Sequence, residues 1–334
     1  MQTQTQENLN VGHEQKDNII RLLKLYGSDS LSYFHLQESR RYYFSPSGNS
    51  FLSYRIYNKI AIVGGDPLGL SSEITTLLIS FITYLQLWSL SPCFVGLSGA
   101  YKPIVSTLGL KVSKIGEEAV LKLENFERNK LKKKVRRAVR HVEKLEVDIF
   151  FMSPKDLSPY LKCELEAVSS EWLKKNGKRG KRGFSMTLNR LPTQSDNDCQ
   201  IAIAVKNNKV LGFLSFTPIY QKSGLSLDLS RQRTEAPNGL NEFLIIKSAE
   251  YFKKKSVSII SLNFAAFSNI LESSGLIPEK IATFSKKLLS AFYRSHNLRV
   301  FNEKFLPSWE SRYVAYGTFL YVPLYILALA RADG

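Results

Sequence analysis

Asp228 and Arg231 stand three residues apart in the run Leu227-Asp228-Leu229-Ser230-Arg231, just after an apolar, strand-like stretch from Val210 to Phe216. A turn, Ala236-Pro237-Asn238-Gly239, follows and opens a helical pattern through Leu240, Asn241, Glu242 and Phe243. Two opposite charges beside a helix N-terminus suit an anionic substrate or an anionic transition state, because unpaired N–H groups and the helix dipole both favour negative charge there. The competing reading is a surface ion pair next to a loop. A second cassette, Glu303-Lys304-Phe305-Leu306-Pro307-Ser308-Trp309-Glu310-Ser311-Arg312-Tyr313, adds Lys304, Arg312 and Tyr313 to the candidates. Trp309 and Tyr313 read more simply as core aromatics.

Together the two cassettes resemble the cytosolic catalytic domain of the aminoacyl-phosphatidylglycerol synthases, the phosphatidylglycerol lysyltransferases or multiple peptide resistance factors. That family carries an Asp-Leu-Met-Arg run, an Ala-Pro-Asn-Gly turn and a later Lys-Phe-x-Pro-x-Trp-x-x-Arg-Tyr run. Further matches follow in order: Tyr26-Gly27-Ser28-Asp29-Ser30-Leu31-Ser32, Gly64-Gly65-Asp66-Pro67-Leu68-Gly69, Ser170-Glu171-Trp172-Leu173 and Gly183-Phe184-Ser185. No single motif is specific; their order and spacing, from about Asp17 to Arg331, are. The chain departs from the family at Ser230 (usually Met), at Asn263-Phe264-Ala265-Ala266-Phe267-Ser268, and at the more basic Lys178-Arg179-Gly180-Lys181-Arg182. These departures bear on which amino acid is transferred and which lipid accepts it.

Composition sets independent bounds. The chain has 334 residues, 44% hydrophobic and 22% charged, which is globular and long enough for two domains of ordinary size. The net charge of +17 is spread along the chain, +6 up to Phe150 and +11 after it, and the isoelectric point is near 9.6. A field of that sign favours nucleic acid or an anionic membrane surface as partner.

Several chemistries lose ground. Cys93, Cys163 and Cys199 are widely spaced with no CxxC, which argues against a disulfide scaffold or structural zinc and for a reducing cytosol. The four histidines are scattered, and His141-Val142-Glu143 lacks the Pro-Cys-x-x-Cys partner of a deaminase zinc site. There is no Gly-x-Ser-x-Gly elbow and no Walker-type Gly-Lys-Ser/Thr. The expectation is therefore a reaction without metal or other cofactor.

The opening Met1-Gln2-Thr3-Gln4-Thr5-Gln6-Glu7 is no signal peptide, and the first dozen or so residues read as a disordered tail. From Ile74 to Tyr101 the chain carries no charge. Interruption by hydroxyl residues and Pro92 predicts a helix from about Glu73 to Leu87 and a strand from Cys93 to Leu97, in preference to a membrane span. The apolar run Leu320–Leu329 is too short to span and reads as a core element or an interfacial helix.

Between the halves, Leu131, Val135, Val139, Val142 and Leu145 recur at helical spacing, predicting one buried stripe. The other faces are almost wholly cationic, with Lys132, Lys133, Arg136, Arg137 and Arg140 among them. Like charges at i, i+3 and i+4 repel, so such a helix is expected to meet an anion, either RNA phosphates or lipid headgroups. The alternative is a solvated linker helix. Lys178 and Arg179 belong to a second basic segment.

Hairpins around Asn58-Lys59 and Asn207-Asn208, each followed by a helix and another strand, give a rough internal duplication. It suits an α/β fold of two GNAT-like acyltransferase units, which is also the tandem that the resemblance implies. The expected division is a tail (1–15), a first GNAT-like domain (16–125), a basic connecting helix (126–146) and a second GNAT-like domain carrying both cassettes (147–334). The resemblance implies transfer of an aminoacyl group, lysyl first among them, from aminoacyl-tRNA to the hydroxyl of an anionic lipid such as phosphatidylglycerol, by a protein peripheral to the inner face of the cell membrane. Asp228 would hold the donor's α-ammonium or assist proton removal, Arg231 would bind phosphate, and Lys304 would meet developing negative charge or the leaving ribose oxygen. Arg312 would bind a phosphate or Asp228; Glu242, Asn263 and Tyr313 are further substrate-binding candidates. Rival readings are an acetyl-CoA-dependent N-acetyltransferase, a tRNA-dependent transferase acting on peptidoglycan precursors, and a non-catalytic RNA- or membrane-binding module. The first is weakened by the turn Gln232–Gly239, whose one glycine and one proline make a poor pyrophosphate nest.

Overall fold

The computed structural model describes residues 13–38, 40–176, 187–266 and 296–317. Lys178, Arg179, the Gly183-Phe184-Ser185 motif, the run Leu320–Leu329 and residues 1–12 of the expected tail lie outside them, while His13 to Gln15 of that tail open a helix instead. In chain order the first half holds α1 (His13–Tyr26), β1 (Arg41–Phe44), β2 (Ser50–Tyr57), β3 (Ile60–Gly64), β4 (Leu68–Gly69), α2 (Ser71–Leu87), β5 (Ser91–Leu97), α3 (Lys102–Thr107) and β6 (Lys111–Lys122). Then come α4 (Lys133–Lys144), β7 (Asp148–Met152), α5 (Pro159–Asn176), β8 (Gln200–Lys206), β9 (Lys209–Ile219), β10 (Gly224–Gln232), α6 (Leu240–Lys254), β11 (Ile259–Ala266) and β12 (Ser308–Tyr316).

All the described strands join one sheet in the order β1-β2-β3-β5-β12-β6-β11-β10-β9-β8-β7, with β4 on β2. The α/β class expected from the sequence is the one that forms, and its duplication is visible in the topology. β3 and β5 are parallel and joined through α2; β10 and β11 are parallel and joined through α6. Both anticipated hairpins turn on two consecutive left-handed residues, Asn58-Lys59 and Asn207-Asn208, the geometry that matches strand twist. Nothing in the sequence pattern anticipates β12, which comes from the chain's far end and inserts between β5 and β6.

α2 and β5 form within a residue or two of the predicted limits. Ile74, Leu77, Leu78, Phe81 and Leu85 of α2 are buried against β2, β3 and β5. No helix among the described residues is long and apolar enough to cross a membrane. α4 buries Val135, Val139 and Val142, with Leu131 just ahead of it, in a core shared with α6 and β8–β11. Burial of each such side chain supplies roughly 1.5–3 kcal/mol, which outweighs the few tenths per pair of like-charge repulsion on the outer face.

Candidate functional site

β10 and β11 are paired only at Gly224↔Ile259, Leu225↔Ile260 and Ser226↔Ser261. Both strands continue beyond that point, and both carry a register break there, at Leu227/Leu229 and at Ser261/Phe264. Parallel strands that part at their carboxyl ends make the crevice in which α/β sheets usually take ligands. Asp228 occupies the bulge. It is 1% exposed, and its Oδ1 accepts from Thr187 Oγ1 at 2.6 Å and from the Leu188 amide at 2.9 Å. Two donors on one oxygen fix the carboxyl in place.

Asn263 braces the gap from the other side. It sits at φ +80°, a left-handed conformation, and donates Nδ2 to the Leu227 carbonyl at 3.2 Å. Its amide meets Ser261 Oγ at 3.2 Å, and its Oδ1 accepts the Phe264 amide at 2.7 Å. Asn263 thus fixes the backbone that presents Asp228. Asn302 Nδ2 reaches the Leu262 carbonyl at 3.5 Å, which brings the Glu303–Phe305 turn to the same splayed end. There Lys304 Nζ meets Glu242 Oε1, in the first turn of α6, at 2.8 Å. Lys304 retains 35% side-chain exposure, so this pair is worth little and its lysine is exchangeable.

Arg231 is 6% exposed and lies over the Trp172 ring at 5.7 Å. It lines a cavity of about 820 Å³ together with Lys162, Glu166, Ser169 and Arg190. The Glu171-Trp172 pair therefore grips the end of β10 twice, because Glu171 also accepts from the Thr234 amide at 2.7 Å and from Arg233 at 3.2 Å. The turn after it has a structural duty. Gly239, at φ +94°, packs so tightly on α4 that a Cβ there would stand 2.9 Å from Ala138 Cβ.

The expected approach of Arg312 to Asp228 does not occur. β12 is separated from β10 by β6 and β11, three ladder steps or roughly 14 Å. Arg312 is 2% exposed and saturated instead: Nε bonds Glu118 at 2.8 Å, Nη1 bonds Asp29 at 2.5 Å and the Gly96 carbonyl at 3.2 Å, and Nη2 bonds Ser30 at 2.9 Å as well as Glu118. Burial alone would lower its pKa, but Asp29, Glu118 and Asp66 raise it above the usual arginine range. Burial would likewise raise the Glu118 carboxyl, yet Arg312 and the hydroxyls of Ser261 and Ser30 hold it below the usual range. Asp66 has weaker support, accepting the Ser98 amide at 2.8 Å, and burial together with Asp29 pushes it up to about 7.

In the sequence, Asp29 and Asp66 sit inside family-like motifs with no role of their own, and Glu118 does not stand out. The signal for Glu118 was a carboxylate followed by Ala119-Val120-Leu121 inside a strand pattern. Through Ser261, which donates to Glu118 and accepts from Asn263, this charged cluster connects to the Asp228 bulge. Tyr313 packs in the first-half core with Lys102 over its ring at 5.4 Å, and Trp309 packs at the edge of the second-half core under Arg299 at 4.3 Å. On α4, Lys132, Lys133, Arg137 and Arg140 are exposed and Arg136 is partly so.

Residues 20–316 match the family model described as phosphatidylglycerol lysyltransferase, C-terminal. The lysylphosphatidylglycerol biosynthesis bifunctional protein of Mycolicibacterium gilvum is 30% identical over 340 aligned positions. The alignment covers all of this chain and 30% of that protein, so the chain spans about a third of that relative's length. Among solved structures, L-PGS from Bacillus licheniformis superposes with a TM-score of 0.83 at 23% identity, covering 95% of this chain and 96% of that one. The C-terminal domain of a putative lysylphosphatidylglycerol synthetase from Agrobacterium fabrum gives 0.81 at 22%, with the same coverage. The fold is shared with both, and the chain belongs to the phosphatidylglycerol lysyltransferase C-terminal family.

Proposed function

We propose that this chain transfers an aminoacyl group, lysyl first among the candidates, from aminoacyl-tRNA to a hydroxyl of phosphatidylglycerol. The observation that carries this is the parted β10–β11 crevice: its β10 side carries a buried carboxylate, Asp228, and the turn tied to β11 carries an exchangeable lysine, Lys304, within one family-matched chain. The donor is already an activated ester. The lipid hydroxyl oxygen attacks the ester carbonyl, the bond from that carbon to the ribose oxygen breaks, and the hydroxyl proton ends on the ribose oxygen. The protein has to align the two and stabilise the tetrahedral oxyanion.

Asp228, fixed in place by two donors, suits the donor's α-ammonium. Lys304, released from Glu242, suits the oxyanion or the leaving ribose oxygen. Arg231, at the wall of its cavity, suits a phosphate. Arg312 is assigned a positioning role, since its hydrogen-bonding fork is already filled. The duplicated β–α–β halves support reading the fold as tandem GNAT-like units flanking α4. The cationic face of α4 suits tRNA phosphates.

The test is lipid extraction after incubation with radiolabelled lysyl-tRNA and phosphatidylglycerol. Asp228→Asn and Lys304→Ala should each lower turnover by roughly two to three orders of magnitude, the scale of a lost oxyanion-site group, with tRNA affinity nearly intact. Full lipid aminoacylation by both variants, or robust acetyl transfer from acetyl-CoA, would sink the mechanism.

A further inference from the structure

Two surfaces of this protein differ in kind. The outer face of α4 is a row of cations without an exposed large apolar side chain. The C-terminal tip of α2 is the reverse. Leu87 is 80% exposed and Trp88 58%, and Ile79 on the same helix is 49% exposed. From Ile74 to Gly116 the sequence has three charged residues, all lysine, and no acid.

The tip is held rigidly. Ser89, at φ +53°, reverses the chain, and the Ser91 amide bonds the Lys59 carbonyl at 2.8 Å, fixing the tip against the exposed β2–β3 turn. Lys111 starts β6 at the same end of the sheet, where it pairs with Tyr316, itself opposite Cys93 of β5. The tip is therefore an apolar pair with lysines at its margin and, among the described residues, no acid between Glu73 and Glu117.

We infer that this tip is the membrane-docking surface, inserting Leu87 and Trp88 at the headgroup level of an anionic bilayer while α4 is left for the polyanionic donor. Tryptophan is favoured at that depth because its ring is apolar and its N–H can be wet. Marginal lysines complement anionic headgroups, and their share of the attraction is screened by salt while the apolar share is not. A polyelectrolyte such as tRNA gains nothing from an exposed Leu-Trp pair at an uncharged helix end, whereas the charges of α4 serve it directly. The inference rests on the reading that the acceptor is a membrane lipid.

The experiment compares the intact chain with a tip variant, Leu87→Ser with Trp88→Ser, and an α4 variant, Lys132→Glu, Lys133→Glu, Arg136→Glu and Arg137→Glu. Sedimentation uses vesicles of phosphatidylcholine alone or mixed equally with phosphatidylglycerol. The tip variant should lose at least about tenfold in binding to the mixed vesicles, since apolar burial dominates interfacial anchoring. It should keep its tRNA affinity, its unfolding midpoint, and its aminoacylation of a short-chain, monomeric phosphatidylglycerol. The α4 variant should lose tRNA binding first. Vesicle binding by the tip variant equal to that of the intact chain would overturn the inference. So would lipid-free self-association of the intact chain that the tip variant abolishes, because a second copy would then cover the tip. If the intact chain aminoacylates neither vesicle-borne nor monomeric phosphatidylglycerol, the transfer reading fails, while the sedimentation result still decides the docking surface.

Discussion

At the residue scale, the two arginines of the cassettes have different work despite similar burial. Arg231 faces a cavity, whereas Arg312 neutralises carboxylates that three distant segments bring together. Replacing Arg312 with Leu leaves Asp29 and Glu118 buried and uncompensated, and should cost about 3–5 kcal/mol in chemical denaturation. A normal unfolding midpoint with a raised KM would instead return Arg312 to substrate binding. Asp66 gives a second test. Its carboxyl is raised to about 7, so the folded state holds that proton more tightly than the unfolded chain. Its contribution to stability therefore improves as pH falls through about 7 and levels off near the ordinary carboxylate value. His35, which contacts the Asp66 carbonyl and is lowered by burial to about 3, works in the opposite direction below its unfolded value. Asp66→Asn isolates the first effect: the variant should exceed the parent in stability at about pH 8 and match it only at about pH 4. Equal differences at both pH values would show that Asp66 does not titrate in this range.

At the element scale, α4 and α6 form a seam whose closest approach is Gly239 on Ala138. Gly239→Ala combines a left-handed φ with a backbone-adjacent clash and should destabilise by about 1–3 kcal/mol. The Pro-Asn-Gly turn is thus a packing device as well as a helix start. Because α4 is anchored by its valine stripe, its cations can be altered without moving it. Charge reversal at Lys132, Lys133, Arg136 and Arg137 should leave the far-ultraviolet spectrum unchanged. It should flatten the salt dependence of tRNA binding by about one log–log unit for each phosphate that is no longer neutralised. An unchanged slope would move the donor's binding surface elsewhere.

At the scale of the whole molecule, one sheet carries both halves, and its middle is built from strands distant in sequence. β6 meets β11 on one side and β12 on the other, so Glu118 joins Ser261 and Arg312 across the sheet. This arrangement predicts cooperative unfolding: Arg312→Leu should lower the denaturant midpoint seen by Trp309 in the second-half core and by first-half hydrogen exchange together. Separate transitions would mean that the halves unfold independently. The net charge of +17 makes every polyanion measurement depend on ionic strength, so affinities should be compared at matched salt.

The sequence by itself determined the local elements. The apolar spacing of α2 and α4, the Asn58-Lys59 and Asn207-Asn208 turns and the charge-free stretch after Glu73 all act over a few residues, so periodicity and turn chemistry expose them. Motif order likewise disclosed the family and pointed to Asp228, Arg231 and Lys304. Only the tertiary structure decided which of these residues meet. Strand order is fixed by packing across hundreds of residues, and a one-dimensional pattern does not state that β12 enters between β5 and β6. That insertion holds Arg312 three strands from Asp228 and gives it Asp29 and Glu118 instead. The parting of β10 from β11, braced by Asn263, arises from two bulges on neighbouring strands, and neither bulge has a signature without the other. Exposure of Leu87 and Trp88 was equally hidden, because a leucine-tryptophan pair at a helix end reads as core until the neighbouring elements are placed.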